Sequence, residues 1–178
     1  MHAGAHEAWA VFAQALSFTA RHYPVVLALG VLASAQRFLS VGGDDRFAWA
    51  GGLPGELFTA AVRLLFLAWV VRALFAGSDL PWSQVGPRLT RFVDGHTAML
   101  VASGALLVLL TVVAKVIPDA IAGAIDDGSR ATFLAWELAI KNVTVIPFVM
   151  VWMTTVARVA LLGGAGSLTL ATAAGRQM

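Results

Sequence analysis

From Thr97 to Ala114 the chain reads TAMLVASGALLVLLTVVA, eighteen residues without a charge. A run of that length predicts a transmembrane helix. Asp94 and His96 open it, and Lys115 and Pro118 close it. Three further stretches approach the same pattern. Val25 to Ala35 is apolar and reaches spanning length when Gln36, Arg37, Phe38 and Leu39 continue it, with Arg37 snorkelling to the far interface. Pro24 suits the first turn of that helix. Ala33-Ser34-Ala35 has the form of a signal-peptidase site, but the segment before it is long and amphipathic, so the helix is read as retained. The second span is Leu57 to Phe75, with Glu56 at its mouth. The last helix, Ala131 to Leu162, is ~48 Å long at ~1.5 Å per residue. That exceeds a hydrocarbon core of ~30 Å, so one end stands outside it, and Pro147 predicts a kink.

Two stretches alternate with helical period instead of being apolar throughout. In Glu7 to Arg21, Trp9, Phe12 and Leu16 fall on one face, with Glu7, Gln14, Ser17 and Arg21 towards the other. In Pro81 to Asp94, Trp82, Val85, Leu89 and Phe92 share a face opposite Gln84, Arg88 and Arg91, and Pro87 predicts a bend. Both read as amphipathic helices in the membrane interface. Val41 to Gly55 and Gly77 to Pro81 read as loops, Pro118 to Arg130 as a loop or short surface helix, and Gly163 to Met178 as a small-residue tail. The fold class is therefore all-α: a polytopic membrane protein, one transmembrane domain over residues 1–178, with four transmembrane helices and two amphipathic interfacial helices.

Composition agrees. The chain is 59% hydrophobic and 12% charged, with a mean hydropathy of +0.81. Soluble domains carry about 25% charge, so no separate soluble domain fits. The basic residues are scattered without interleaved aromatics, which excludes nucleic acid as a partner. There is no cysteine, so disulfides, thiolate metal sites and thiol nucleophiles are excluded. Ten arginines against two lysines, with abundant Ala and Gly, fit a bacterial inner membrane protein. Arg21, Arg72, Arg88, Arg91, Arg158 and Arg176 fall on one side of the predicted topology, against Arg37, Arg46, Lys115 and Arg130 on the other. The positive-inside rule then puts both termini in the cytoplasm.

Trp9, Phe12 and Leu16 recur as Trp82, Val85 and Leu89, and His22, Ala28, Gly30 and Leu32 as His96, Ala102, Gly104 and Leu106. The pattern suggests a tandem two-helix repeat, with halves 7–77 and 81–162, like parallel-repeat transporters.

Glycine-rich phosphate loops, zinc-protease spacing and a serine nucleophile elbow are absent. Residues 126–131, DDGSRA, resemble the start of the CDP-alcohol phosphotransferase motif, but its later Gly and paired Asp are missing, so nothing is carried over. Asn142-Val143-Thr144 matches a glycosylation sequon that falls within the bilayer. His2 and His6 have a metal-capable spacing at a terminus, and no metal or other cofactor is expected. His22 and His96, with Trp9 and Trp82, read as interfacial anchors. Gly30 and Ser34, and Ala98 and Ala102, offer small-xxx-small packing.

The intramembrane polar candidates are Arg63, Glu56, Thr59, Glu137 and Lys141. Arg63 lies near mid-depth, where a charge costs at least ~2.5 kcal/mol on insertion scales, with Glu56 and Thr59 on its face. Glu137 and Lys141 are four apart and pair along one helix. An acidic partner is expected for Arg63, Glu137 first and Glu56 second. The function expected is a non-enzymatic accessory or scaffold subunit that packs with the lipid bilayer and with other membrane-protein subunits or itself. The alternative is a small oligomeric transporter or channel with a polar pathway around Arg63, Glu137 and Lys141. A lipid-modifying enzyme comes third.

Overall fold

The structure, a computed structural model, describes residues 2–42 and 45–163. These are helical, with no strand. Eight α-helices follow one another: α1 His2–Arg21, α2 Tyr23–Gly42, α3 Leu53–Leu74, α4 Trp82–Gly95, α5 Thr97–Thr111, α6 Ile117–Ala124, α7 Asp127–Val143 and α8 Val145–Leu162. Four stretches are long and apolar enough to cross a membrane: Tyr23–Ser40, Leu53–Leu74, Thr97–Ala124 and Asp127–Leu162. The tail beyond Gly163, with Arg176, lies outside the described residues, as do positions 43 and 44 and the side chain of His2.

Several predicted boundaries move, each for a backbone reason. The stretch expected as a loop after Val41 holds a 3-10 turn, Asp45–Gly51, and α3 starts at Leu53. Pro54 sits in its first turn, where a missing N–H costs nothing. The third span does not stop at Lys115 and Pro118. A π-turn, Val112–Val116, joins α5 to α6. There Ile117 N–H bonds the Val112 carbonyl five residues back. That wider turn relieves the ring-to-carbonyl clash that Pro118 would bring to a regular helix. Between α7 and α8 the break is at Thr144, not at Pro147. Proline clashes with the carbonyl of residue i−4, which here is Val143. The distortion therefore falls one turn before the ring, where Thr144 leaves helical geometry at φ −127°, ψ −78°.

His22 separates α1 from α2, yet backbone bonds cross it: His22 N–H to Phe18 O at 3.1 Å and Val26 N–H to His22 O at 3.2 Å. The two helices form one long, nearly continuous element. α7 and α8 form another that runs antiparallel to it, α2 against α7 and α1 against α8. α3 lies along α2 and reaches α8.

α1 packs along the bundle. It runs beside α5, from Gly4 against Ala98 to Ala20 and Tyr23 near Leu110. A Cβ on Gly4 would stand 2.6 Å from that of Ala98, so the two backbones nearly touch. The buried face is Ala8, Val11, Ala15 and Phe18, whereas Trp9 and Leu16 are exposed. Small residues allow the close approach that van der Waals packing between membrane helices needs, so this face is covered while Trp9 and Leu16 are left outside. The core centres on Trp152, wholly buried, with Phe12 edge-on at 5.2 Å between ring centroids.

Candidate functional site

Polar residues inside the spans gather where α2, α3 and α7 meet. Arg63 projects from the middle of α3, half-buried, and one of its terminal nitrogens donates to Asn142 Oδ1 at 3.2 Å. Asn142 is itself buried. The expected carboxylate partner is not there. Glu137 pairs instead with Lys141 on its own helix, four residues on. Glu56 stays exposed in the first turn of α3. The pairing of Glu137 with Lys141 has a simple cause. Four residues along a helix bring two side chains together with no other constraint, whereas a bond to Arg63 needs α7 in the right rotation. That rotation presents Asn142.

Close packing sets the rotation. A Cβ on Gly30 would meet the Asn142 carbonyl oxygen at 2.5 Å and the Val143 Cα at 2.9 Å. Ser34 donates to the Ala139 carbonyl at 3.2 Å, while also bonding Gly30 O at 2.8 Å. Gly30 and Ser34 thus form the seat on α2 that holds α7. On α5, Ala98 packs against Gly4, and Ala102 is half-buried against the core. Beside Arg63 lies a cavity of about 20 Å³ lined by Val26, Leu29, Val62, Phe66, Asn142 and Pro147 among others. A cavity of that size holds about one water. Arg63 Nε is buried with no hydrogen-bond partner.

Thr59 belongs to a second knot. Its hydroxyl donates to Gln36 Oε1 at 3.1 Å, and Gln36 Nε2 bonds the Ala50 carbonyl. Gln36 and Thr59 are both buried. This ties α2, the 3-10 turn and α3 together at one end. Gly55 is there because a Cβ would strike Ala50 O. Sequence reasoning passed over Gln36 and Asn142 as partners. Each is an uncharged polar residue next to a charged one, Arg37 or Lys141, in a mostly apolar stretch, and that was the available signal.

The charged layer continues outward. Glu137 and Lys141 are mostly covered, with 13% and 18% of their side chains exposed. Lys115 and Asp119 form a 2.9 Å pair across the π-turn that is well exposed, and Asp119 is also within electrostatic reach of Lys141. Among the described residues, no three His, Asp or Glu side chains form a metal cluster.

The four predicted anchors are distributed differently. Trp82 is 90% exposed and Trp9 59%. His22 is half-buried against Phe18 and Trp69, and His96 half-buried against Phe92. No protein-family model matches the chain, and no curated protein or solved structure is detectably similar to it.

Proposed function

We propose that the protein is a non-enzymatic accessory or scaffold subunit of a bacterial inner-membrane assembly, with both termini cytoplasmic. One observation carries the reading: Arg63, Glu137 and Lys141, the three charges that a polar pathway would need, each have a partner within the chain. Arg63 is held by Asn142 and Glu137 by Lys141, and the cavity between the helices has room for about one water. Such a layer locks helices in register, the best-attested use of buried polar groups, and leaves the outer faces for partners. The stretch Thr97–Ala124 has the highest hydropathy of the four spans and the least buried surface. It supplies a face for other membrane subunits or for a second copy.

The uncovered stripe of Trp82, Leu89 and Val93 on α4 supports its interfacial placement. The matching geometry at His22 and His96 supports a tandem repeat. The transporter alternative rests on Arg63 Nε, which lacks a partner beside the cavity.

Arg63→Leu separates the two readings. It should lower unfolding stability by ~1–3 kcal/mol, because Asn142 loses its partner, and leave proteoliposomes as ion-tight as wild type. Wild-type flux that Arg63→Leu abolishes at unchanged stability would overturn the subunit reading. Native mass spectrometry in mild detergent should show a stoichiometric foreign membrane chain. For topology, a cysteine at Asp127 should label from outside with an impermeant thiol reagent, and one at Ser83 should not.

A further inference from the structure

We propose that the pocket between α4 and the end of α8 is a binding site for the phosphate of an anionic phospholipid headgroup. The pocket has a volume of about 230 Å³, and its polar lining is Arg88, Arg91 and His96, set against the backbone from Val159 to Gly163. Among the described residues no carboxylate lines it. Two groups are held in place before any ligand arrives. Arg88 donates to Leu161 O and to Gln84 Oε1, both at 2.6 Å, which fixes its guanidinium at the rim and neutralises the carbonyl end of α8. His96 faces the Phe92 carbonyl through Nδ1 at 3.3 Å and stacks on the Phe92 ring. A carbonyl only accepts, so Nδ1 carries the proton; Nε2 of the neutral ring is then an acceptor, and the donors to the phosphate are the two arginines, with the His96 ring as wall. Arg91 is exposed and has no hydrogen-bond or ion-pair partner among the described residues.

The position beside the pocket argues for a lipid over a free anion. α4 buries only Phe92 and leaves Trp82, Leu89 and Val93 uncovered on one stripe. With that stripe in the acyl region, Arg88 and Arg91, on the opposite side of α4, stand at headgroup level, the combination by which an amphipathic helix engages an anionic leaflet. Guanidinium matches a phosphate with paired donors in one plane.

The test uses the full chain in mild detergent. Native mass spectrometry follows titration with short-chain phosphatidylglycerol, then phosphatidylcholine, with inorganic phosphate as competitor. The expected result is one phosphatidylglycerol bound per chain in preference to phosphatidylcholine. Arg91→Gln should weaken it about tenfold, the loss of one charge-assisted contact, and Arg91→Lys should restore part of the loss. Arg91 is exposed, so neither variant threatens the fold, and an unchanged thermal unfolding profile checks this. Failure of millimolar phosphate to displace the lipid identifies the lipid as the ligand. Displacement by phosphate, with the same dependence on Arg91, keeps the phosphate site and makes its source soluble. Equal binding of the two lipids, or wild-type binding by Arg91→Gln, overturns the proposal.

Discussion

His22 and His96 stand at two helix junctions that are alike within a few residues and unlike beyond them. At each, the histidine N–H bonds a phenylalanine carbonyl four residues back, Phe18 at 3.1 Å and Phe92 at 2.8 Å. Each histidine carbonyl then accepts from a residue four further on, Val26 or Leu100. Each ring packs on that phenylalanine, at 4.3 and 4.5 Å. The surroundings diverge. His22 meets Trp69 inside the bundle, whereas His96 lines a pocket with Arg88 and Arg91. The helices before them explain why. α1 presents Gly4, Ala8, Val11 and Ala15 to its neighbours and is drawn in along its length, while α4 offers only Phe92. Similar local sequence repeats the joint, and the size of the residues on the preceding helix decides what surrounds it.

The largest expected effect tests that rule. Ala15 is fully buried on α1, so Ala15→Leu forces extra volume into a packed face. It should cost ~1–3 kcal/mol, the usual range for overpacking. Thr90→Leu adds comparable volume to an exposed position on α4 and should stay within about 0.5 kcal/mol. Denaturant unfolding in mixed micelles measures both. Equal losses would mean that α1 and α4 are packed alike, and the contrast would fail.

The same physics sets what was legible in the sequence. The four spanning stretches announce themselves because an apolar run of that length has no other stable use in water. Their ends do not, because they turn on how the backbone absorbs a proline. Pro118 is tolerated by a π-turn, and Pro147 distorts the turn before it. The polar site was half legible. Arg63 and Thr59 stood out, and so did the i, i+4 pair of Glu137 and Lys141, but the partners of the first two did not. Looking for a carboxylate for a cation favours Glu137, whereas the helix rotation fixed by Gly30 and Ser34 delivers the neutral Asn142. In α1, Trp9 and Leu16 drew the eye to one face while alanines formed the contact on another.

A smaller effect separates the two histidines. His22→Ala removes a ring packed on both Phe18 and Trp69. It should cost ~1–2 kcal/mol, since each aromatic contact contributes ~0.5–1.5 kcal/mol. His96→Ala loses the Phe92 stack alone and should cost under about 1 kcal/mol. The thermal unfolding of the two variants gives the order directly. A larger loss at His96 would place its junction, not that of His22, in the packed interior.

The smallest effect on stability, and the sharpest on placement, belongs to the two exposed tryptophans. Trp82→Phe and Trp9→Phe should each change stability by less than about 0.5 kcal/mol, as surface substitutions do. Their depths should nevertheless differ. Trp82 begins α4, off the end of the spans, with its ring almost fully exposed. Trp9 lies five residues into α1 from Gly4, which touches Ala98 at the start of the third span. At ~1.5 Å per residue that puts it ~7.5 Å along the span. Quenching by brominated lipids reads this as the signal lost when each tryptophan is replaced. For Trp82 the lost signal should be the part quenched best by bromines near the headgroups. For Trp9 it should be the part quenched best by bromines several ångströms deeper. Equal shallow depths would place α1 in the plane of the interface beside α4, and the contrast in depth between the two helices would fail.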